Sequence, residues 1–592
     1  MLPLFLTVLG RLCLSAFAFQ DDSHNGPQTH VINLEAKADH NLGGRRIIAL
    51  NGNQETFGPP VRVRAGDTVQ ISLLNQICSE LEAQNDANDE LMEEYCVTGL
   101  HFHGLVPIGN DVDGVPGLTQ PPIKPGETYW YNFTIPQDVC GTFWYHSHSA
   151  IQYGDGLRGT IVVECDEYNS LVNRVFQALE KGPVNNGPVR LPPKVIQLES
   201  NLIHEETVTL SDWYDDWNLD IEREKVLSPD GTTDPHMDGS LINGSEDDHI
   251  EMKMDRDVKA AVIRVVNAGM AGTQVLHAEG RNMVVLETDG VLVKPYAVET
   301  LSLAVGQRYT IMVTTQGKWD PIKFINGCNK MMGYVTKVFW MMQRNPVGEL
   351  NFEGKIKNLP GFYRGELFQQ FEPIHGTGLW GSIKESDDNI QRITLNYEYI
   401  RNEATVQQYG THMYKVNGKT MEEYMENPIE MEGGKTVEII INSIDHMRHP
   451  WHMHGHHFQV ISMGEGHDGQ LRLDDLGESD AKRKYQQDLH FWEESKKTPM
   501  TRDSINIAGA SFAVLRIRTD FPGSWLLHCH VEWHVAKGLG VVLKELESPQ
   551  KAGQEQIEQS TIVKKGTSKA KVLGVYFFIM SLLDAALYFF IM

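Results

Sequence analysis

The sequence predicts an all-β protein made of three consecutive antiparallel β-sandwiches, and three observations carry that expectation. At 592 residues the chain exceeds what one hydrophobic core supports, and about 100 to 200 residues per domain gives three or four domains. Short alternating apolar and polar runs recur along most of it, separated by Gly, Pro and Asn/Asp clusters, which is the signature of half-buried strands joined by turns. Histidines recur two residues apart, a spacing that puts both imidazoles on one face of a strand.

From about residue 28 to 165, runs such as Val61-Arg62-Val63-Arg64 and Thr68-Val69-Gln70-Ile71-Ser72-Leu73 read as a sandwich. The acidic stretch from Ser79 to Tyr95, with Glu80, Glu82, Asp86, Asp89, Glu90, Glu93 and Glu94, reads as a solvated loop or short helix between two strands. Then come His101-Phe102-His103-Gly104 and His146-Ser147-His148, separated by the turn-rich Asp113-Gly114-Val115-Pro116-Gly117. Residues from about 190 to 345 repeat the strand pattern without such histidines, in Ala260–Val266, Met283–Leu286 and Tyr309–Val313. After a less regular linker, the third region gives Val437–Ile441, then His449-Pro450-Trp451-His452-Met453-His454, and finally His528-Cys529-His530-Val531-Glu532-Trp533-His534. Pro450 interrupts a regular ladder, so His449 need not share a face with His452 and His454.

Composition bounds the partners. The 78 acidic against 52 basic residues give a formal charge of −26, which disfavours nucleic acid and anionic membrane surfaces and suits cationic or neutral substrates. Residues 1–18 form an apolar leader ending in Ala16-Phe17-Ala18, the small-x-small pattern of a secretory cleavage site. The sequons Asn132-Phe133-Thr134 and Asn243-Gly244-Ser245 are compatible with secretion. Of the cysteines, Cys78 and Cys96 flank the acidic stretch and are the expected disulfide.

Leaving His456 and His457 aside, the four clusters hold ten histidines and Cys529. Eight of the histidines form H-x-H pairs, the donor set that wraps several metal ions in neutral imidazole. His449 and His534 are left to join Cys529 in a His2Cys site, whose thiolate favours redox-active copper. Along the strand His528 and His530 face one way and Cys529 the other, so one strand can serve two metal centres.

These four clusters, in this order, resemble the copper signatures of the multicopper oxidases, the three-domain fungal kind that includes laccases and iron-transport ferroxidases. Thr142–His148 with Gln152-Tyr153 and Asp155-Gly156-Leu157 resembles the second signature, and Glu287–Val291 and Gly306–Tyr309 resemble the middle domain. The resemblance spans roughly residues 30 to 545 and implies three cupredoxin-like Greek-key sandwich domains at 19–165, 166–345 and 346–550, with a tail at 551–592. It implies four copper ions. Type 1 copper takes His449, Cys529 and His534, the type 2 ion takes His101 and His452, and the type 3 pair takes His103, His146, His148, His454, His528 and His530. A reductant gives electrons singly to type 1 copper, Cys529 passes them to its histidine neighbours, and four of them reduce dioxygen to two waters.

Leu539, ten residues beyond Cys529, occupies the family's axial position and cannot coordinate, which implies a high type 1 potential. Glu532 and Asp113 match acids that stay ionised and relay protons in similar enzymes. The reductant is left open among Fe(II) or Cu(I), phenols or ascorbate-like molecules; a non-enzymatic copper store is disfavoured by the Cys-linked bridge. Asp212 matches the family's substrate acid and leans toward a laccase or leaves the question open. Glu532 and Gly538–Leu543 resemble the ferroxidases, and Glu422, Glu423 or Glu426 is a candidate iron ligand, or an ordinary solvated carboxylate. Pro121 stands where relatives usually have cysteine. The preferred reading is a ferroxidase at the cell surface beside an iron permease in the membrane. The apolar run from Val572 to Met592, broken by Asp584 and preceded by lysines, reads as a membrane span, a lipid-anchor signal or a tail without a role.

Overall fold

The computed structural model describes residues 26–42, 45–52, 57–78, 89–193, 202–255, 257–315, 321–328, 335–343, 366–375, 390–474 and 477–548. The leader and the apolar tail lie outside these residues. Among the described residues no helix is long and apolar enough to cross a membrane.

Strands make up 45% of the described residues and gather into six sheets. Over residues 29–164 one sheet runs in the order Arg45–Leu50, Thr29–Leu42, Thr68–Gln76, Thr128–Thr134, and the other Val61–Arg64, Arg158–Glu164, Gly141–Ser147, Leu100–His103. Residues 187–343 form sheets of seven and five strands, and residues 390–545 sheets of six and five. The chain is therefore all-β, three cupredoxin-like sandwiches in succession. The alternation that marks the strands in the sequence is the alternation of burial: in Val61–Arg64 both valines are buried and both arginines exposed. Buried apolar side chains form one continuous cluster reaching through all three sheet pairs.

The sheets are mixed. Thr29–Leu42 pairs parallel with Thr68–Gln76, Ile203–Trp213 with Ala260–Asn267, and Ile390–Ile400 with Thr436–Ser443. In the first of these the chain between the partners visits the opposite sheet through Val61–Arg64, and such a crossover returns it in the same direction, as a tight hairpin would not.

Of the acidic stretch, Glu90–Cys96 is helical, capped by the Asp89 side chain on Met92 N, with Met92 and Tyr95 buried. Cys78 and Cys96 are bonded, as their flanking positions suggested. Cys140 and Cys165 form a second disulfide, which the sequence had not pointed to, while Cys328 and Cys529 belong to neither of the two.

Strand register positions the histidines. Leu100–His103 pairs with Gly141–Ser147 so that His101 lies opposite His146. In the last sandwich His449–Met453 pairs with Gly523–Cys529, with His452 opposite His528 and Trp451 opposite Cys529. Each terminal sandwich thus offers two histidine-bearing strands side by side, and the two sets meet.

Candidate metal centres

Two centres form. In the larger, imidazole nitrogens from the first and last sandwiches face one another: His101 Nε2 and His452 Nε2 are 3.4 Å apart, His103 Nδ1 and His530 Nε2 3.3 Å, and His528 Nε2 stands 3.4 Å from His148 Nε2 and 3.2 Å from His454 Nε2. His103, His146 and His530 form one group able to hold a metal ion, His148, His454 and His528 another, and His101 and His452 a third with His103. In the smaller, Cys529 Sγ lies 3.6 Å from His449 Nδ1 and 3.5 Å from His534 Nδ1. All three residues are buried. Cys529 and its neighbours serve both centres because the strand's pleat turns their side chains to opposite faces.

The donor atoms suit copper. Imidazole binds first-row metals at about 2.0 Å, so nitrogens just over 3 Å apart can share one ion. His146 Nε2 is buried and has no hydrogen-bond partner, an orphan that a metal ion satisfies. Burial, reinforced by neighbouring imidazoles, holds His146, His148, His454 and His530 well below the usual histidine range, and brings His528 down to about 3 and His449 to about 4, so these rings present lone pairs. Burial also pushes the Cys529 thiol well up; a bound cation reverses that and yields the thiolate ligand.

The outer ring nitrogens are held by the protein, which fixes each ring's orientation and tautomer. His101 Nδ1 donates to Asp113 O at 2.7 Å, His146 Nδ1 to Ser147 O at 2.8 Å, His528 Nδ1 to Cys529 O at 2.8 Å, and His454 Nδ1 to Asp113 Oδ2 at 3.0 Å. Gly306 approaches from the middle sandwich with φ +84°; a Cβ there would sit 2.8 Å from His103 Cε1 and 3.2 Å from His530 Cδ2. Only glycine combines that backbone with that approach.

Comparison with known proteins decides the family. Three sequence profiles described as multicopper oxidase match residues 88–167, 204–330 and 394–549. The chain is 44% identical to the multicopper oxidase GMC1 of Saccharomyces cerevisiae across 100% of this chain and 98% of that protein. The chain belongs to the multicopper oxidase family. It is also 30% identical to the iron transport multicopper oxidase FET3 of Candida albicans, over 86% of this chain and 74% of that one. The crystal structure of Fet3p, a multicopper oxidase that functions in iron import, superposes with a TM-score of 0.66 at 26% identity, covering 87% of this chain and 90% of that one. As a multicopper oxidase the chain is a copper-dependent oxidoreductase that couples oxidation of a reducing substrate to reduction of dioxygen.

Around this multicopper oxidase's centres the carboxylates take distinct positions. Asp113 bonds His454 and lies 3.4 Å from His101 Nδ1. Glu532 Oε1 is 3.9 Å from His530 Nδ1, and burial pushes its carboxyl up to about 8, which runs against the ionised state expected from the sequence because desolvation penalises the charged form. The Tyr153 hydroxyl stands 3.3 Å from the same ring nitrogen. Leu539 is fully buried and gives its carbonyl to Cys529 N.

Asp212, read from the sequence as a substrate acid, is engaged with the backbone instead. Its Oδ1 accepts from Met270 N at 2.7 Å and its Oδ2 from Ala271 N and Gly272 N, both at 2.8 Å, with Tyr214 Oη at 3.3 Å. Glu423 closes a capping box with Thr420 at the start of the helix Met421–Glu426, and Glu422 and Glu426 lie exposed on that helix. None of the three belongs to a metal-capable cluster among the described residues.

Two acids that sequence reasoning passed over stand at the smaller centre. Asp234 Oδ2 accepts from His534 Nε2 at 2.7 Å, and Asp445 Oδ2 lies 3.3 Å from His449 Nε2. Burial opposes their charge, but the paired histidines prevail and hold both carboxyls below the usual range. Asp445 is only four residues before His449 and was open to notice; Asp234 reaches His534 from the middle sandwich, and nothing local marks it.

Proposed function

We propose that this multicopper oxidase is a four-copper ferroxidase. The observation that carries the reading is the pair of carboxylates on the outer nitrogens of His534 and His449. Asp234 and Asp445 place hard oxygen donors one hydrogen bond from the ligands of the Cys529 centre. Carboxylates bind Fe(II), and they favour the smaller, more highly charged Fe(III) still more. The acidic surface charge draws a cationic reductant toward them.

In this reading His449, Cys529 and His534 hold the type 1 copper, His101 and His452 the type 2 ion, and His103, His146 and His530 against His148, His454 and His528 the type 3 pair. Copper, when bound, supplies the one-electron chemistry by which four substrate electrons convert dioxygen to two waters. The chain supplies the path: from Asp234 or Asp445 through the imidazole it touches, through Cys529, and on to His528 and His530 on either side of it. The hydrogen bond from His528 Nδ1 to Cys529 O shortens that path beside the covalent one. Asp113 and Glu532 relay protons on the oxygen-reducing side. The leader and apolar tail support a secretory route to the cell surface, where the Fe(III) product would pass to an iron permease in the membrane.

Steady-state oxidation of Fe(II) and of a phenol by the same copper-loaded preparation tests the reading. Fe(II) should be the better substrate by kcat/KM, and Asp234→Asn and Asp445→Asn should each lower that value about tenfold, or about 1.4 kcal/mol, while keeping the visible thiolate–copper band. Fe(II) oxidation no faster than the uncatalysed background would sink it.

A further inference from the structure

Asp503 takes part in none of the chemistry above, yet it is fully buried between the two histidine sets. Its Oδ1 accepts from His103 Nε2 at 3.2 Å, from Arg308 Nη1 at 2.7 Å and from Ser504 Oγ at 2.8 Å. Its Oδ2 accepts from Arg308 Nη2 at 2.7 Å and lies 3.5 Å from His457 Nε2. Its main-chain oxygen accepts from His452 Nδ1 at 3.0 Å. One residue therefore holds a histidine of the first sandwich and one of the last, and is itself gripped by an arginine of the middle one.

Arg308 is equally constrained: its Nε donates to Thr142 O at 3.1 Å, its Nη1 also to Gly306 O at 2.9 Å, and its main-chain N to Asp289 Oδ1 at 2.7 Å. Beside it, Arg502 forks onto the same Asp289 at 2.7 and 3.1 Å. Two parallel-bonded arginine–carboxylate pairs thus cross the seam between middle and last sandwiches in opposite directions. Gly104, the residue after His103, has φ +78°, and a Cβ there would fall 2.2 Å from both Arg308 Nη2 and Asp503 Oδ2, so the pair packs directly on the histidine strand's end.

We propose that the Arg308–Asp503 pair is the positioning device of the oxygen-reducing cluster, setting the tautomers of His103 and His452 so that copper retention there depends on the middle sandwich. With its Nε2 proton donated to Asp503, His103 turns its Nδ1 lone pair toward His530 Nε2. With its Nδ1 proton donated to the Asp503 carbonyl, His452 turns Nε2 toward His101. A carboxylate behind a ligating imidazole fixes the ring and raises its basicity. A carboxylate held by both prongs of a guanidinium cannot rotate away, and lysine does not reproduce that fork. Among the described residues nothing comparable links Arg308 to the Cys529 centre.

The test compares wild type with Asp503→Asn, Arg308→Lys and Gly104→Ala, all as full chains loaded with copper, by copper content after chelator challenge, electron paramagnetic resonance of the type 2 ion, and the visible thiolate–copper band. The inference rests on the copper assignment proposed above and not on the reductant, and these readouts need no reductant, so its failure is distinct from failure of the ferroxidase reading. The expected result is about 10- to 100-fold weaker retention of the oxygen-side coppers in each variant with the thiolate band intact. Gly104→Ala alters neither charge and keeps the measurement open if a buried-charge variant does not fold. Wild-type retention of those coppers in any folded variant, or parallel loss from both centres, overturns the proposal.

Discussion

Leu539 and Glu532 stand a few residues from the ligands and can be altered without removing one. On the proposed assignment Leu539 would stand at the axial position of the type 1 copper, where a leucine would give the cupric ion no fourth donor. Leu539→Met should lower the type 1 potential, measured by redox titration of the thiolate band, and an unchanged potential would refute the axial placement. Glu532 faces His530, and burial raises its carboxyl to about 8. Glu532→Gln should leave reduction of the Cys529 centre by substrate at its wild-type rate and slow reoxidation by dioxygen; stopped-flow traces showing equal slowing of both steps would argue against a relay. At this scale, what the sequence made legible were the groups tied to strand periodicity. Alternation alone sorted His528 and His530 from Cys529, because the pleat decides which face a side chain takes. The carboxylates were not legible in the same way: Asp234 meets His534 across a separation of 300 residues, and Asp212, placed well by local likeness, turns its oxygens to the backbone of residues 270–272. A side chain's partners across a seam follow from how sandwiches dock, which no local window encodes.

Among the elements, the short helix Glu90–Cys96 shows a similar division. Its acidic residues suggested solvation, and several are exposed, but Tyr95 on its inner face is fully buried and donates to Asp155 Oδ2 at 2.8 Å. The bond between Cys78 and Cys96 ties this helix to the strand Thr68–Gln76 across a separation of 18 residues. Cys78→Ser with Cys96→Ser should cost about 3 kcal/mol by loop-closure entropy. The visible band should be unchanged, since neither cysteine touches a copper ligand; a chain that keeps its urea midpoint would show that the helix is anchored by packing alone. The parallel partners, such as Thr29–Leu42 beside Thr68–Gln76, were missed because alternation reports which face of a strand is buried and says nothing of the neighbour's direction.

At the scale of the whole molecule, ion pairs join the sandwiches across their seams. Glu205 joins Arg62 of the first to Arg264 of the middle one at 2.6 and 2.9 Å, with Tyr168 at 2.8 Å. Burial opposes its charge, but the two guanidinium groups and the hydroxyl hold its carboxyl down to about 2, against 4.5 for the free side chain. Because the folded value is the lower one, the pair stabilises fully above about pH 4.5, and that contribution, about 3 kcal/mol, is lost as pH falls through 2. Glu205→Gln should therefore lower the urea midpoint at neutral pH and flatten its decline between pH 5 and about 3; parallel pH curves for variant and wild type would count against the assignment.

Asp234 lies on the middle sandwich, whereas the histidine it touches belongs to the last one, and that division has an evolutionary corollary. If Asp234 meets the electron donor as proposed, its segment can be exchanged while the strand carrying Cys529 stays as it is. A chimera carrying residues 214–238 of a relative with another reductant should inherit that relative's preference and keep its own colour. New specificities in such a chain can arise by rewriting a rim, with the wire left intact.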